Sequence, residues 1–137
     1  MKVFIDTNIF ISAILLPNSI TARAYIKAIN LPYEPITSQY VVDELREKFN
    51  EKFPDHITAL EEFLSYTLNT IRVVNKHKQG ISPSNDTIIR DVKDQPILDS
   101  AIEANVDYIL TGDKDFLELM LERPVCIKPA DFLNLTE

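Results

Sequence analysis

The chain has 137 residues, the size of one domain spanning 1–137, and it is long enough to bury a core without cross-links. Hydrophobic residues make up 45% and charged residues 26%, as in soluble globular folds, and the single cysteine, Cys126, excludes an internal disulfide framework. A net charge of −7 excludes a protein that grips nucleic acid by bulk positive charge, but not a nuclease whose site is built from carboxylates. Only Val3-Phe4-Ile5 separates Met1-Lys2 from the first acid, and no apolar run reaches the length of a membrane span. A cytoplasmic protein without membrane attachment is therefore expected.

Lys2 to Ile5 is short, apolar and ended by Asp6, the pattern of a buried strand. Asn8 to Leu16 and Thr21 to Ile29 are predicted helical, with Pro17-Asn18-Ser19 between them. Pro35-Ile36-Thr37 reads as a strand, and Ser38 can cap a helix running to about Lys52. Pro54-Asp55 opens another helix, to about Tyr66, and Thr70 to Val74 is β-rich. The polar stretch from Asn75 to Asp91 holds Gly80 and Pro83 and is expected to form a loop. Its Lys76-His77-Lys78 is a compact basic patch, a solvated run or a contact for phosphate. Asp94 to Asn105 is the clearest amphipathic helix. After it come a strand from Val106 to Leu110, a helix from Asp115 to Leu121, a strand from Val125 to Ile127 and a helix begun by Pro129. Strands alternate with helices throughout, which implies an α/β fold, a three-layer α/β/α sandwich with a mainly parallel central sheet.

In such sheets, sites form beyond the carboxyl ends of the strands. Asp6 follows the first strand directly, and Asp113 follows Val106 to Leu110 across Thr111-Gly112. Two more acids are placed by helical spacing, at about 100° per residue. Ile97, Leu98, Ala101 and Ala104 make one apolar face; Asp94 falls within that arc, whereas Asp99 and Glu103 fall opposite and are expected in solvent. Val41, Val42, Leu45 and Phe49 make the apolar arc of the earlier helix; Glu44 borders it, and Asp43 and Glu47 lie across from it. Each acid has an ordinary alternative: Asp6, Asp94 and Asp113 can cap helices, and Glu44 can be a flank residue. Asp43, Asp99 and Asp107 are expected as solvated charges, as are the separate histidines His56 and His77, and Cys126 as a small apolar residue.

A carboxylate turned toward a core is costly unless something pairs with it. Two of them about 4 Å apart repel by roughly 4 kcal/mol at an effective dielectric of about 20. Four converging acids therefore call for cations, and hard oxygen ligands suit Mg²⁺ or Mn²⁺ better than zinc.

The pieces Asp6-Thr7-Asn8, Glu44 in Val-Val-Asp-Glu-Leu, Arg90-Asp91-Val92-Lys93-Asp94, and Asp107-Tyr108-Ile109-Leu110-Thr111-Gly112-Asp113-Lys114-Asp115-Phe116 together resemble the PIN-domain family. The resemblance covers nearly the whole chain and is strongest to the VapC-like toxin components of toxin–antitoxin systems. It implies an RNase H-like fold and a Mg²⁺- or Mn²⁺-dependent endoribonuclease. Matched residue by residue, Asp6, Glu44, Asp94 and Asp113 are the catalytic and metal-binding quartet. Asp115 is an additional acid at the metal, and Thr7, Asn8 and Thr111 are supporting residues. Relatives often carry a second acid just after the third; here that place holds Gln95, with Asp91 nearby but off the matching position. The resemblance further implies an RNA substrate, an antitoxin partner and a homodimer. Two other functions compete: a non-catalytic RNA- or protein-binding module on the same fold, and a phosphatase with Asp6 as nucleophile, for which Asn8 is a poor proton donor.

Overall fold

The structure is a computed structural model that describes residues 1–75 and 94–136. The expected loop from Asn75 to Asp91, with its basic patch, His77 and Asp91, lies outside the described residues beyond Asn75.

The sheet is built on β1 (Lys2–Ile5), whose Val3, Phe4 and Ile5 are fully buried, as a strand covered on both faces requires. Two helices follow, α1 (Thr7–Leu15) and α2 (Ile20–Ala28), the second capped by Ser19, whose hydroxyl oxygen accepts the Ala22 N–H at 3.0 Å. Next come β2 (Glu34–Ser38), α3 (Gln39–Lys52), a 3₁₀ turn (Pro54–His56), α4 (Ile57–Thr67) and β3 (Arg72–Val74). The chain continues as α5 (Gln95–Glu103), β4 (Tyr108–Leu110), α6 (Lys114–Leu117), β5 (Val125–Ile127) and α7 (Pro129–Leu133). The expected order of elements holds among the described residues. Helix α6 is shorter than expected because Met120 adopts φ of 54°, a left-handed conformation that ends a helix.

The five strands lie in the order β3-β2-β1-β4-β5 and all pair in parallel. From β1 the chain steps outward through β2 to β3, then returns across the sheet to β4 and β5. Helices flank this parallel sheet, giving an α/β sandwich. Direction reverses between β1 and β4, so their carboxyl ends border the crevice where α/β sheets form sites.

Opposite that crevice, the amino ends are clamped by Asp107. Expected in solvent, it accepts the Lys2 backbone N–H at 2.8 Å and pairs with Arg123 at 3.1 Å. The N–H that begins β1 needs an acceptor before the ladder starts, and Asp107 supplies it. At the far edge, Lys27 donates to the carbonyls of Phe132, Leu133 and Leu135, a cation at the C-terminal end of α7, while Phe132 stacks on Tyr33 with centroids 4.9 Å apart. No single described helix is long and apolar enough to cross a membrane. His56 is exposed, as expected.

Helix α3 carries one of the candidate acids, and its start is fixed by Ser38, fully buried, whose oxygen accepts the Val41 N–H at 3.2 Å. Ser38→Ala is expected to cost about 1 kcal/mol in urea unfolding; a change of under about 0.3 kcal/mol would show that the cap contributes nothing.

Candidate metal and active site

Asp6 stands at the junction of β1 and α1 and is only 4% exposed. Its backbone N–H donates to the Leu110 carbonyl at 3.2 Å, extending the β1–β4 ladder by one step and bringing it beside Thr111. Both carboxylate oxygens are engaged: Oδ1 accepts the Thr7 N–H at 2.7 Å and Oδ2 accepts the Thr111 hydroxyl at 2.7 Å. Thr111 is itself fully buried, and its oxygen accepts the Asp113 N–H at 3.0 Å. One hydroxyl thus fixes the Asp6 side chain and the Asp113 backbone together. Asp113 Oδ1 accepts the Asp115 N–H at 2.8 Å and caps α6.

Glu44 reaches the same place from α3. It accepts a hydrogen bond from the Thr7 hydroxyl, a contact across 37 positions of sequence. Its charge acts on Asp6, as does that of Asp113. The apolar arc expected for α3 is buried as Val41, Val42, Leu45 and Phe49, leaving Glu44 half-buried beside it.

Asp94 sits at the start of α5 but makes no side-chain capping bond to it, so the capping alternative does not account for this acid. Carboxylate oxygens of Asp94, Asp113 and Asp115 all lie within 4.8 Å of one another, and all three residues are half-buried. Three ionised groups at that spacing repel by roughly 3 to 4 kcal/mol per pair at an effective dielectric near 20. Their donors are all hard oxygens, and the set fits Mg²⁺ or Mn²⁺. Asn8, by contrast, is exposed in the first turn of α1.

Two neighbours depart from the expectations. Asp99 is buried, at 7% exposure, because Ile97 through Ala101 are all buried: the middle turn of α5 is enclosed on more than the one face that a helical wheel assumes. Its Oδ1 accepts the Gln95 amide at 2.9 Å, so the residue standing in place of a second acid tethers Asp99. Asp43, half-buried, accepts the Gln39 amide at 2.9 Å and is not a purely solvated charge. The Thr7–Glu44 link was not legible in the sequence, because it joins segments with no shared periodicity.

Burial pushes the Asp6 carboxyl up from 3.8 to about 6; the bonds from Thr111 and Thr7 oppose the shift, and the charges of Glu44 and Asp113 add to it. With both oxygens bonded and little exposure, Asp6 is a poor fit to a phosphatase nucleophile. Burial also pushes the Cys126 thiol up to about 11, with Asp6 adding to the shift, so it stays a neutral thiol at ordinary pH.

The raised carboxyl has a definite sign in stability. Above about pH 6, Asp6 is ionised both folded and unfolded; as pH falls from about 6 toward 3.8 the folded chain takes up the proton first, so folding gains stability. That contribution is complete below 3.8, lost as pH rises through about 6, and amounts to about 3 kcal/mol. In chelator, the stability difference between wild type and Asp6→Asn should therefore move by about 2 kcal/mol in favour of wild type between pH 7 and pH 4, most of the full contribution. A pH-independent difference in urea titrations would show that Asp6 is not titrating from a buried state.

The fold has counterparts among known proteins. The chain is 28% identical over 123 residues to the uncharacterized protein MJ1680 of Methanocaldococcus jannaschii, covering 87% of this chain and 75% of that one. A chain of the VapBC2 structure from Rickettsia felis, bound to a DNA fragment from the promoter, superposes with a TM-score of 0.64 over 93% of this chain and 98% of that one. Their sequence identity is 17%, so the likeness is one of fold. The PIN domain family matches residues 2–115, a span that holds Asp6, Glu44, Asp94, Asp113 and Asp115, and the chain belongs to that family.

Proposed function

We propose that the protein is a Mg²⁺- or Mn²⁺-dependent endoribonuclease, the toxin component of a toxin–antitoxin pair. The observation that carries the reading is the meeting of Asp94, Asp113 and Asp115 within 4.8 Å, on the same crevice as Asp6 and Glu44. Family membership and the likeness in fold to VapBC2 support the nuclease class and an antitoxin partner. A homodimer and a cytoplasmic location belong to the same reading.

In this reading Asp94, Asp113 and Asp115 hold the cation together with Asp6 and Glu44, which complete its sphere directly or through water. When bound, the cation supplies a water of lowered pKa and neutralises charge on the attacked phosphodiester. Thr111 orients Asp6 and the Asp113 backbone at once, so these two acids are held in a fixed relation to each other. The acidic balance of the chain gives no general attraction for RNA; substrate is drawn locally, where carboxylate charge is offset.

Defined RNAs incubated with and without Mn²⁺, with the cut sites mapped, test the reaction. Cleavage should require the cation, and Asp94→Asn, Asp113→Asn and Asp6→Asn should each lower it by about 100-fold or more. Cleavage by all three variants at the wild-type rate would remove the acids from the chemistry. Mn²⁺ at a hundred times its dissociation constant should stabilise the wild type by about 2.7 kcal/mol in thermal or urea unfolding. A protein whose stability ignores the cation, and which leaves RNA intact, is the non-catalytic module instead.

A further inference from the structure

We infer that Thr7 is a positioning residue of the carboxylate group: its buried hydroxyl holds Glu44 beside Asp6 against the repulsion between the two acids. The inference rests on the cation-binding reading of the site proposed above, and it assigns the residue a task that the reaction class by itself does not define.

Three observations carry it. Thr7 is 1% exposed, so its hydroxyl must find its partner within the protein. A threonine in the first turn of a helix usually spends its hydroxyl on nearby backbone. Here the proton goes instead to Glu44 Oε1, 37 positions away on α3, while the Thr7 N–H goes to Asp6 Oδ1. One residue therefore donates to both members of a pair whose charges oppose each other, since Glu44 raises the Asp6 carboxyl. A glutamate has rotamer freedom that costs free energy to restrain, and a half-buried one next to a like charge is driven toward solvent. A β-branched hydroxyl with a stiff χ1, fixed by the backbone that follows Asp6, is a donor able to keep it in place.

Calorimetric titration of Mn²⁺ into the full chain tests this without reference to turnover. Thr7→Val keeps shape and burial but removes the donor, and should weaken cation binding about 10- to 100-fold, the usual effect of losing an outer-shell partner. Thr7→Ser, which restores the hydroxyl, should bind close to wild type; a merely structural role for the threonine methyl would give the reverse order. Because Thr7 acts through Glu44, Thr7→Val placed on top of Glu44→Ala should add no further loss. Circular dichroism and melting establish that each variant is folded, and Thr7→Ala takes the place of Thr7→Val in the cycle if the valine variant does not fold. Wild-type affinity in Thr7→Val, or a full additional loss in the double variant, overturns the inference alone. A wild-type chain that takes up no Mn²⁺ overturns the reading of the site, and the inference with it.

Discussion

A carboxylate removed from water must be met by donors or by positive charge, and Asp6 is met by donors. Its two oxygens take one bond from the next residue in the chain and one from Thr111 at the end of β4, while the neighbouring charges acting on it are those of Glu44 and Asp113. The second donor exists only if β1 and β4 are adjacent, parallel and in the register that sets Ile5 against Leu110. Satisfying one buried acid and setting the strand order at the crevice are thus the same structural fact. A slip of register by one residue would turn the side chains of β1 to the wrong faces and leave Asp6 without its hydroxyl.

The two ends of the sheet divide the work. At the amino ends, Asp107, Lys2 and Arg123 close the ladder with hydrogen bonds and an ion pair, interactions that are satisfied internally. At the carboxyl ends, Asp94, Asp113 and Asp115 stand close together with like charge, an arrangement that opposes folding unless a cation joins it. Stability stored in the core and at the clamped end tolerates this repulsion, as sites of this kind require. The residues after 115, beyond the family match, add to that store: β5 pairs with β4, Phe132 is fully buried, and Lys27 ties the last helix to α2.

Hydroxyls do much of the positioning. Thr111 joins Asp6 to Asp113, and Thr7 joins Asp6 to Glu44. Neutral donors lower the cost of bringing acids together without cancelling their charge, whereas an arginine or lysine in their place would neutralise the group that is to attract a cation. The buried threonines explain how acids from the ends of β1 and β4 and from α3 share one crevice.

The sequence by itself determined the periodicities, and these were enough for the alternation of strands and helices, the strand-end places of Asp6 and Asp113, and the buried arc of α3 from Val41 to Phe49. Each follows from local chemistry: side-chain spacing, a capping serine, a proline that opens a helix. The motif pieces also sufficed to suggest the family. Tertiary structure alone decided that Asp99 is buried, since a helical wheel assumes one covered face and α5 has more. It alone decided that Asp107 is a clamp and not a solvated charge, and that Thr7 spends its proton on Glu44. Those are contacts between segments far apart in the chain, and no local periodicity encodes which distant partner a polar group will meet.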